Sequence, residues 1–410
     1  MAKTNNVRLL ALETLLESEK RKLYIKDALN RTLFQAQFMC KQDRAFISRL
    51  VEGVTEYQVR LDYIINSFSK IKVNKCKPVI RSLLRMGVYQ MLFMDRVPNE
   101  VACDTCVELA KKKGFYNLTG YVNGVLRSVA NNLDTIAYPK EEDNLSLALS
   151  VEYSVPEWLV LKIIDWYGVK LTRDILQGSL ETKDLTIRIN TMNTEKESFT
   201  AKLREKQIEV SPGHYIPYAL HLRNINYVRR IPGYKQGSFF VQDESSMLLY
   251  QVVSKVLEEW IDKLSEGDRL HILDLCAAPG GKTTHFAQML GEKAIIDAGD
   301  VTEEKIGFIR ESVERLQLNN VNVHVWDALI LEEEKRGCAD IVIADLPCSG
   351  LGILGKKNDI KYRITEEQLK ELSRLQQHIL ENATQYVRKG GILLFSTCTI
   401  NPDENIANAD

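Results

Sequence analysis

The chain has 410 residues, of which 45% are hydrophobic and 27% are charged, and its net charge is −1 at pH 7. This length exceeds one ordinary domain, so we predict two or three domains, each with its own core. The composition excludes a membrane-spanning protein, because no stretch approaches the roughly 20 uninterrupted apolar residues that a span requires. It also excludes a protein that binds nucleic acid through overall positive charge, although local clusters can still do so.

The N-terminal residues MAKTNNVRLLALETLLESEKRK predict an amphipathic helix, because charges interrupt the apolar positions that a secretory signal would need. The eight cysteines are scattered, which is typical of reduced thiols in a cytoplasmic enzyme. Cys103 and Cys106 form a lone C-x-x-C pattern, and a zinc site needs a second pair of ligands. We therefore expect core thiols, no metal, no membrane partner, a cytoplasmic location and a monomer.

Residues 1–140 show helical apolar spacing nearly throughout, as in VRLLALETLL and PVIRSLLRMGVYQMLF, and predict an all-α helical bundle. A basic run lies between two of its helices. Its cations are Lys70, Lys72, Lys75, Lys77, Arg81 and Arg85. The run is either a solvated face or a surface that follows an RNA backbone, and the sequence favours neither.

An acidic segment around residues 139–154 is predicted to be a linker. Residues 150–236 then mix a helix, VPEWLVLKIIDWYG, with strand-like alternation in LTIRINTMN, which indicates a small α+β module. Residues 237–410 alternate strands with helices and predict an α/β domain with a parallel sheet. Ligands of such sheets bind at the carboxyl ends of the strands.

The first of these strands, HILDLC, runs into a glycine turn and a helix. Gly280 and Gly281 permit a tight turn, and the helix N-terminus offers free N–H groups. The spacing matches neither a P-loop nor G-x-G-x-x-G. Asp300 ends the next strand, where an acid accepts hydrogen bonds from ribose, and Asp327 follows the third strand, where it could equally be a helix N-cap.

Two further strands end at cysteines, in IVIADLPCSG and GGILLFSTC. Cys348 and Cys398 are therefore candidate activated nucleophiles, with inert buried thiols as the alternative. Lys282 is either a cofactor or base contact or a solvated lysine. His285 is expected to pack or cap, because no acid–base role is evident for it.

The strings DLCAAPGGKTTHFAQML, ADLPCSGLGILGKKNDI and FSTCTINPDEN resemble the motifs of RNA 5-methylcytosine methyltransferases of the RsmB/Sun (Nop2/Sun) family. RINT and GSFFVQDESS resemble that family's preceding motifs, and QDRAFISRLVEGV with YVNGVLR resembles its NusB-like domain. The resemblance covers almost the whole chain. It implies a NusB-like bundle (1–140), an RNA-recognition-like α+β module (150–236) and a Rossmann-like methyltransferase domain (237–410).

The resemblance also implies the cofactor, S-adenosylmethionine, and a small-subunit (16S) ribosomal RNA substrate. The implied cofactor-binding residues are Cys276, Ala277, Ala278, Pro279, Gly280, Gly281, Lys282, Asp300, Asp327 and Asp345. Cys398 would be the nucleophile that adds to cytosine C6, Cys348 would assist release, and Asp345 would bind the cytosine edge. Arg188 and Asn190, in RINT, would contact RNA together with the basic run.

Alternatives remain at this point. Cys348 is the nucleophile if the chain follows the related DNA cytosine methyltransferases, which use the Pro-Cys thiol. The substrate could be tRNA or 23S rRNA, or the chain could be an inactive NusB-like RNA-binding or assembly factor. The resembling family also continues beyond NPDENIANAD with a helix and two strands, so the catalytic domain is expected to be truncated.

Overall fold

The computed structural model describes residues 2–181, 184–225 and 227–409, with side chains in the first helix described from Val7 onward. Its contacts divide the chain into two compact units. We call residues 1–181 with 351–364 the helical unit, and residues 182–350 with 365–410 the sheet unit.

The helical unit is built from nine α-helices within the described residues. They are α1 (Ala2–Arg21), α2 (Ile25–Gln35), α3 (Lys41–Glu56), α4 (Gln58–Phe68), α5 (Pro78–Phe93), α6 (Asn99–Lys112), α7 (Thr119–Ala130), α8 (Leu145–Tyr153) and α9 (Glu157–Leu180). The apolar faces of α1 to α7 meet in one core, which includes Leu12, Leu50 and Leu83. Cys103 and Cys106 are buried in this core, as predicted. The predicted border at residue 140 falls inside this unit, because α8 and α9 belong to it.

Local sequence explains several helix ends in this unit. Pro78 is the first residue of α5, where its missing N–H costs nothing. Asn144 caps α8, since its side-chain oxygen accepts the Leu147 N–H at 3.0 Å. Gly168 interrupts the helical dihedrals of α9 with a φ of 72°, a conformation that favours glycine.

Residues 351–364 belong to the helical unit although they follow a strand of the sheet unit. The Ile25 N–H donates to Asp359 Oδ2 at 2.9 Å, and Lys361 Nζ donates to the Glu56 carbonyl at 3.0 Å. Burial lowers the pKa of Lys361 to about 8. The sequence does not predict this excursion, which interrupts the domain predicted for residues 237–410.

The sheet unit begins with a small antiparallel sheet in the order β2-β3-β1-β4. Its elements are β1 (Leu185–Ile189), α10 (Lys196–Glu205), β2 (Glu209–Pro212), β3 (Ala219–Arg223) and β4 (Phe239–Val241). The small sheet extends past the predicted border at residue 236, because β4 pairs with β1.

A five-stranded parallel sheet follows, in the order β7-β6-β5-β8-β9. Its elements are α11 (Glu244–Ile261), β5 (Leu270–Asp274), α12 (Gly281–Leu290), β6 (Ala294–Asp300), α13 (Glu303–Leu316), β7 (Val321–Val325), β8 (Ala339–Asp345), α14 (Glu366–Tyr386), β9 (Val387–Ser396) and the short α15 (Ile406–Ala409). The central strands β5 and β8 are nearly continuous runs of buried residues, which is typical of a sheet covered on both faces. The fold class predicted from the sequence is confirmed.

None of the helices in the described part of the chain is both long and apolar enough to cross a membrane.

Glu244, in the first turn of α11, ties a loop of the small sheet to this helix. Its carboxylate accepts the backbone N–H groups of His214, Tyr215 and Ile216 at 2.9–3.0 Å and lies 2.8 Å from His221 Nε2. Burial alone would raise the pKa of Glu244, but these donors outweigh it and hold the pKa at about 2. The ionised carboxylate is therefore part of the folded sheet unit.

Glu244→Gln is expected to remove a pH-dependent part of the stability. A depressed carboxyl pKa contributes stability above the unfolded pKa of about 4.5, and this contribution is lost as the pH falls toward 2. The melting temperature of the variant should lie below that of the parent at pH 7, and the difference should shrink between pH 5 and pH 3. A difference that stays constant over this range would contradict the assigned role.

Candidate active site

The glycine turn lies between β5 and α12, at the carboxyl end of the large sheet. Gly280 has a φ of 97°, which side chains rarely adopt, and its N–H donates to the Ala277 carbonyl at 2.6 Å. The Ala277 N–H donates to the Gly299 carbonyl of β6 at 2.9 Å. The turn is thereby fixed to the neighbouring strand, and the first N–H groups of α12 follow it directly.

Arg188, in β1, supports this turn from inside the protein. Its guanidinium donates to the Gly281 carbonyl at 2.9 Å, to Thr284 Oγ1 at 3.0 Å and to Gln288 Oε1 at 2.7 Å, and it also donates to Gln242 Oε1. All four acceptors are neutral. Burial lowers the pKa of Arg188 to about 9, since little compensates its charge.

The predicted RNA contacts of Arg188 and Asn190 do not agree with these positions. Both residues are 1% exposed. Asn190 Nδ2 donates to the Gly237 carbonyl at 3.0 Å, which holds the strand end to the segment before β4. Both faces of β1 are buried, since Ile187 and Ile189 are as inaccessible as Arg188, so these two polar side chains hydrogen-bond inside the protein.

Asp300, the last residue of β6, is 5% exposed and faces the glycine turn. Its Oδ2 accepts the Ala278 N–H at 3.1 Å, and its Oδ1 accepts the Val301 N–H and the Lys305 ammonium, both at 2.8 Å. A carboxylate has about four acceptor positions, so one position on Oδ2 is left for a ligand hydroxyl.

Asp274 ends β5 beside the same turn and was not singled out from the sequence. It accepts Thr283 Oγ1–H at 2.6 Å on Oδ2, whereas its buried Oδ1 has no hydrogen-bond partner within the described residues. Burial raises the pKa of Asp274 to about 7, with further contributions from Asp345 and Asp300. Burial also raises the pKa of Cys276 to about 12, so this thiol keeps its proton.

Asp345 ends β8 and contacts the end of β9 and the first turn of α12. Its Oδ1 accepts Ser396 Oγ–H at 2.8 Å, and its Oδ2 lies 2.5 Å from Lys282 Nζ. The Asp345 side chain is 35% exposed, whereas that of Lys282 is 11% exposed. Lys282 is therefore not a freely solvated lysine, and Asp345 retains a face that a ligand can reach.

Cys348 and Cys398 follow β8 and β9 and lie against each other. Their Sγ atoms are 3.2 Å apart, and the Cys398 backbone N–H donates to Cys348 Sγ, also at 3.2 Å. Both are reduced thiols; Cys348 is half-buried and Cys398 is exposed. Two causes raise the pKa of Cys348 well above its ordinary value: the hydrogen bond with Cys398, which is the larger, and burial.

A group of polar residues that the sequence did not single out surrounds the two thiols. Ser349, Gln376, Thr399, Asn401 and Glu404 are all buried and hydrogen-bonded to one another or to the cysteine loops. The one available signal was that four of them lie in strings that resemble family motifs, ADLPCSG and FSTCTINPDEN.

Two other residues singled out from the sequence, Asp327 and His285, have clear structural positions. Asp327 lies beyond β7 and accepts the Leu329 N–H at 3.0 Å, so it closes a turn instead of capping a helix. His285 is buried, as expected, with Nε2 2.9 Å from Tyr218 Oη. Among the residues with described positions, no group of three or more His, Cys, Asp or Glu could hold a metal ion.

The turn, Asp300 and Asp274 together fit a nucleoside-type cofactor. Gly280 and Gly281 place no side chain over the turn, Asp300 keeps one acceptor position, and Asp274 Oδ1 is a buried acceptor that lacks a donor within the described residues. A cofactor with hydroxyl and amino donors would satisfy both acids. Of the predicted set, Asp327 has the weakest connection to this group.

The basic run divides into two parts in the helical unit. Lys70, Lys72, Lys75 and Lys77 are exposed. Arg81 and Arg85 are partly buried in ion pairs with Glu19 and with Asp62, the latter a bidentate pair at 2.7 Å. The four lysines are therefore better placed than the two arginines to contact a phosphate backbone.

Three family models match the chain: "NusB family" over residues 5–131, "Methyltr_RsmF/B-like, ferredoxin-like domain" over residues 155–229, and "16S rRNA methyltransferase RsmB/F" over residues 261–410.

Two curated relatives match nearly the whole chain. A Bacillus subtilis protein named "Probable ribosomal RNA small subunit methyltransferase B" is 31% identical, over 98% of this chain and 87% of its own length. A Synechocystis protein of the same name is 30% identical, over 99% and 88%. Among solved structures, the one titled "Crystal Structure of PH0851" is 24% identical and superposes with a TM-score of 0.79, over 98% of this chain and 88% of that chain.

Asp300→Asn is expected to weaken binding of S-adenosylmethionine by about 1–3 kcal/mol, because the cofactor hydroxyls lose a charged acceptor. Titration calorimetry measures this directly. Glu303→Gln, an exposed acid in the first turn of α13, removes the same charge nearby and should leave the affinity unchanged. Equal affinities for Asp300→Asn and the parent would remove Asp300 from the site.

Proposed function

Since the chain belongs to the 16S rRNA methyltransferase RsmB/F family, we propose that it methylates C5 of a cytosine through a covalent adduct with Cys398. The family, the methyltransferase activity and the S-adenosylmethionine dependence predicted from the sequence are confirmed. The observation that carries the proposal is the pair of thiols 3.2 Å apart at the ends of adjacent strands.

The chemistry of cytosine explains why a thiol is needed. C5 is a poor nucleophile while the ring is aromatic, and a thiolate that adds to C6 makes C5 enamine-like. S-adenosylmethionine, when bound, supplies a methyl group on a positively charged sulfur. Afterwards the C5 proton must leave and the C6–S bond must break, which requires a second group that handles protons.

We assign attack to Cys398 and release to Cys348. Cys398 is exposed, so its thiolate can be solvated and can reach a base, and the Cys348 thiol can donate a hydrogen bond to it. The raised pKa of Cys348 keeps its proton in place at neutral pH. As the C6–S bond breaks, the Cys348 thiol is suited to donate its proton to the Cys398 sulfur and to take up the C5 proton in its place, so that both thiols are restored.

Asp345 is proposed to bind the cytosine edge. Its carboxylate accepts from the exocyclic amine, and from N3 once N3 carries a proton in the adduct. Ser396 and Lys282 hold this carboxylate in place, and both contacts come from elements of the same strand-end edge. The target base must be unpaired or flipped, because C6 is attacked from above the ring plane.

The substrate is proposed to be 16S rRNA, which fits the name of the matching family and the names of the two relatives. We further propose that Lys70, Lys72, Lys75 and Lys77 contact RNA phosphates and that the protein acts in the cytoplasm, where ribosomal RNA is made. Methylation of purified 16S rRNA, 23S rRNA and tRNA, followed by mass spectrometry of the nucleosides, tests substrate and product. Labelling of tRNA or 23S rRNA alone would replace this substrate assignment, and no labelling of any RNA would favour an assembly factor.

The thiol variants should separate attack from release. Cys398→Ala should abolish methylation and any covalent link to RNA, whereas Cys348→Ala should still attack but release slowly, so that a protein–RNA band accumulates on a denaturing gel. Cys40→Ala, which removes an exposed thiol of the helical unit, is the control.

The band of Cys348→Ala should disappear when Cys398→Ala is added. A band that persists without Cys398, or one that requires Cys348, would reverse the two assignments.

Charge reversal of Lys72, Lys75 and Lys77 to glutamate should weaken RNA binding and flatten its salt dependence, without changing affinity for S-adenosylmethionine. The slope of log affinity against log salt should fall by roughly 0.7–0.9 for each phosphate that the lysines no longer neutralise. Reversal of three exposed lysines of the sheet unit, Lys255, Lys263 and Lys293, gives the same change in net charge as a control. Equal slopes for the two triple variants would mean that the basic run is only a solvated face.

A further inference from the structure

Glu404 is a completely buried acid close to the two thiols. It is 0% exposed, and it lies in a short 3-10 helix after β9. Its Oε2 accepts the Ser349 N–H at 2.8 Å and Gln376 Nε2–H at 3.0 Å, and its Oε1 accepts Asn401 Nδ2–H at 3.0 Å.

The donors to Glu404 belong to different parts of the site. Ser349 directly follows Cys348, and Asn401 lies in the loop that carries Cys398. Gln376 comes from α14, and its Nε2 also donates to the Pro347 carbonyl at 2.9 Å. One carboxylate therefore joins both cysteine loops to a helix that covers the sheet.

A second contact crosses between the same two loops. Ser349 Oγ and Thr399 Oγ1 are 2.6 Å apart, and each follows its cysteine by one residue. Asn405, next to Glu404, donates from Nδ2 to the Thr399 carbonyl at 2.9 Å. The residues after each thiol are thus held to one another, whereas Cys398 itself is exposed.

An acid suits this position better than an amide would. All three donors are N–H groups, and a carboxylate accepts on both oxygens, whereas an amide would turn its own NH₂ toward at least one of them. A buried carboxylate is costly unless such donors satisfy it. The three hydrogen bonds that satisfy the Glu404 carboxylate also fix its position, and they fix the positions of the three donor groups with it.

We propose that Glu404 is a positioning residue that sets the separation of the Cys348 and Cys398 thiols by holding both cysteine loops. The inference rests on the proposed function for the roles of the two thiols, but the geometry that it concerns exists without RNA or cofactor. Loss of the carboxylate lets the two loops separate. The hydrogen bond between the thiols is then lost, and the Cys398 sulfur no longer has a donor from Cys348.

Glu404→Gln is the first test variant, because it keeps the size of the side chain. Gln376→Leu is the second, because it leaves the acid in place and removes one donor together with its bond to Pro347. Asp403→Asn is the matched control: it removes one negative charge at the adjacent, exposed position. Melting temperature and affinity for S-adenosylmethionine establish that each variant is folded.

The decisive readout is the alkylation of Cys398 by iodoacetamide as a function of pH, followed by peptide mass spectrometry in the absence of RNA and cofactor. Without the donor from Cys348, the thiolate of Cys398 is less stable, so the midpoint should move up by about half a pH unit or more in Glu404→Gln. The shift should be smaller in Gln376→Leu and absent in Asp403→Asn.

Methylation kinetics give the second readout. For Glu404→Gln, kcat should fall about 10-fold or more, while KM for RNA stays within about 2-fold, because the RNA-binding surface is untouched. If folded Glu404→Gln and Gln376→Leu both alkylate with the parent's pH midpoint, the inference is overturned.

The inference and the proposed function fail in different ways. A parent protein that forms no 5-methylcytosine, with a Glu404→Gln variant whose alkylation midpoint still shifts, would refute the reaction and retain the positioning role. A parent protein that methylates C5, with no shift of the alkylation midpoint in either variant, would support the reaction and refute the positioning role. If Glu404→Gln does not fold, Gln376→Leu decides the outcome alone.

Discussion

The pairing of β8 with β9 determines where both thiols can lie. The two strands are parallel and in register through Asp345 and Ser396, so both chains leave the sheet at the same level of the same edge. Cys348 is three residues past this level on one strand, and Cys398 is two residues past it on the other. Because strands of a sheet are about 4.8 Å apart, two short loops from this level can bring their side chains into contact. The glycine turn ends β5, the other neighbour of β8, so the proposed methyl donor and the thiols share one edge.

Two buried charged groups, each with neutral partners, stabilise the two halves of this edge. Arg188 donates to the Gly281 carbonyl and to side-chain oxygens behind the glycine turn, and Glu404 accepts from three N–H groups behind the thiols. Burying a charge costs several kcal/mol before its hydrogen bonds offset it, so neither group is an efficient way to gain stability. What such a group does provide is a fixed geometry, because several donors or acceptors must meet one planar head group.

The sequence predicted the elements that depend on local pattern. The five strands, their parallel arrangement in a covered sheet and the strand-end positions of Asp300, Asp345, Cys348 and Cys398 all follow from the spacing of apolar residues and from the glycines and prolines that end the strands. The order of the strands in the sheet was not predicted. The sequence did not predict the hydrogen-bond partners of side chains whose burial depends on tertiary packing. Arg188 illustrates this limit, because a basic residue in a strand is usually solvated and only the packing of β1 beside α12 buries it. The excursion of residues 351–364 into the helical unit was equally hidden, since KKNDIKYR has the composition of an ordinary exposed loop.

In the proposed reaction, the different environments of the two thiols suit them to different steps. Two sulfur atoms at hydrogen-bond distance do not both ionise readily, since the second negative charge would form beside the first. A charge is less favourable on the half-buried Cys348, and the hydrogen bond with its neighbour raises the pKa of this thiol further. Cys398 is exposed, which is why the proposed mechanism gives it the approach to the ring. Residue type alone does not distinguish the two cysteines, so the physical asymmetry behind the proposed assignment of attack and release comes from the loops that hold them.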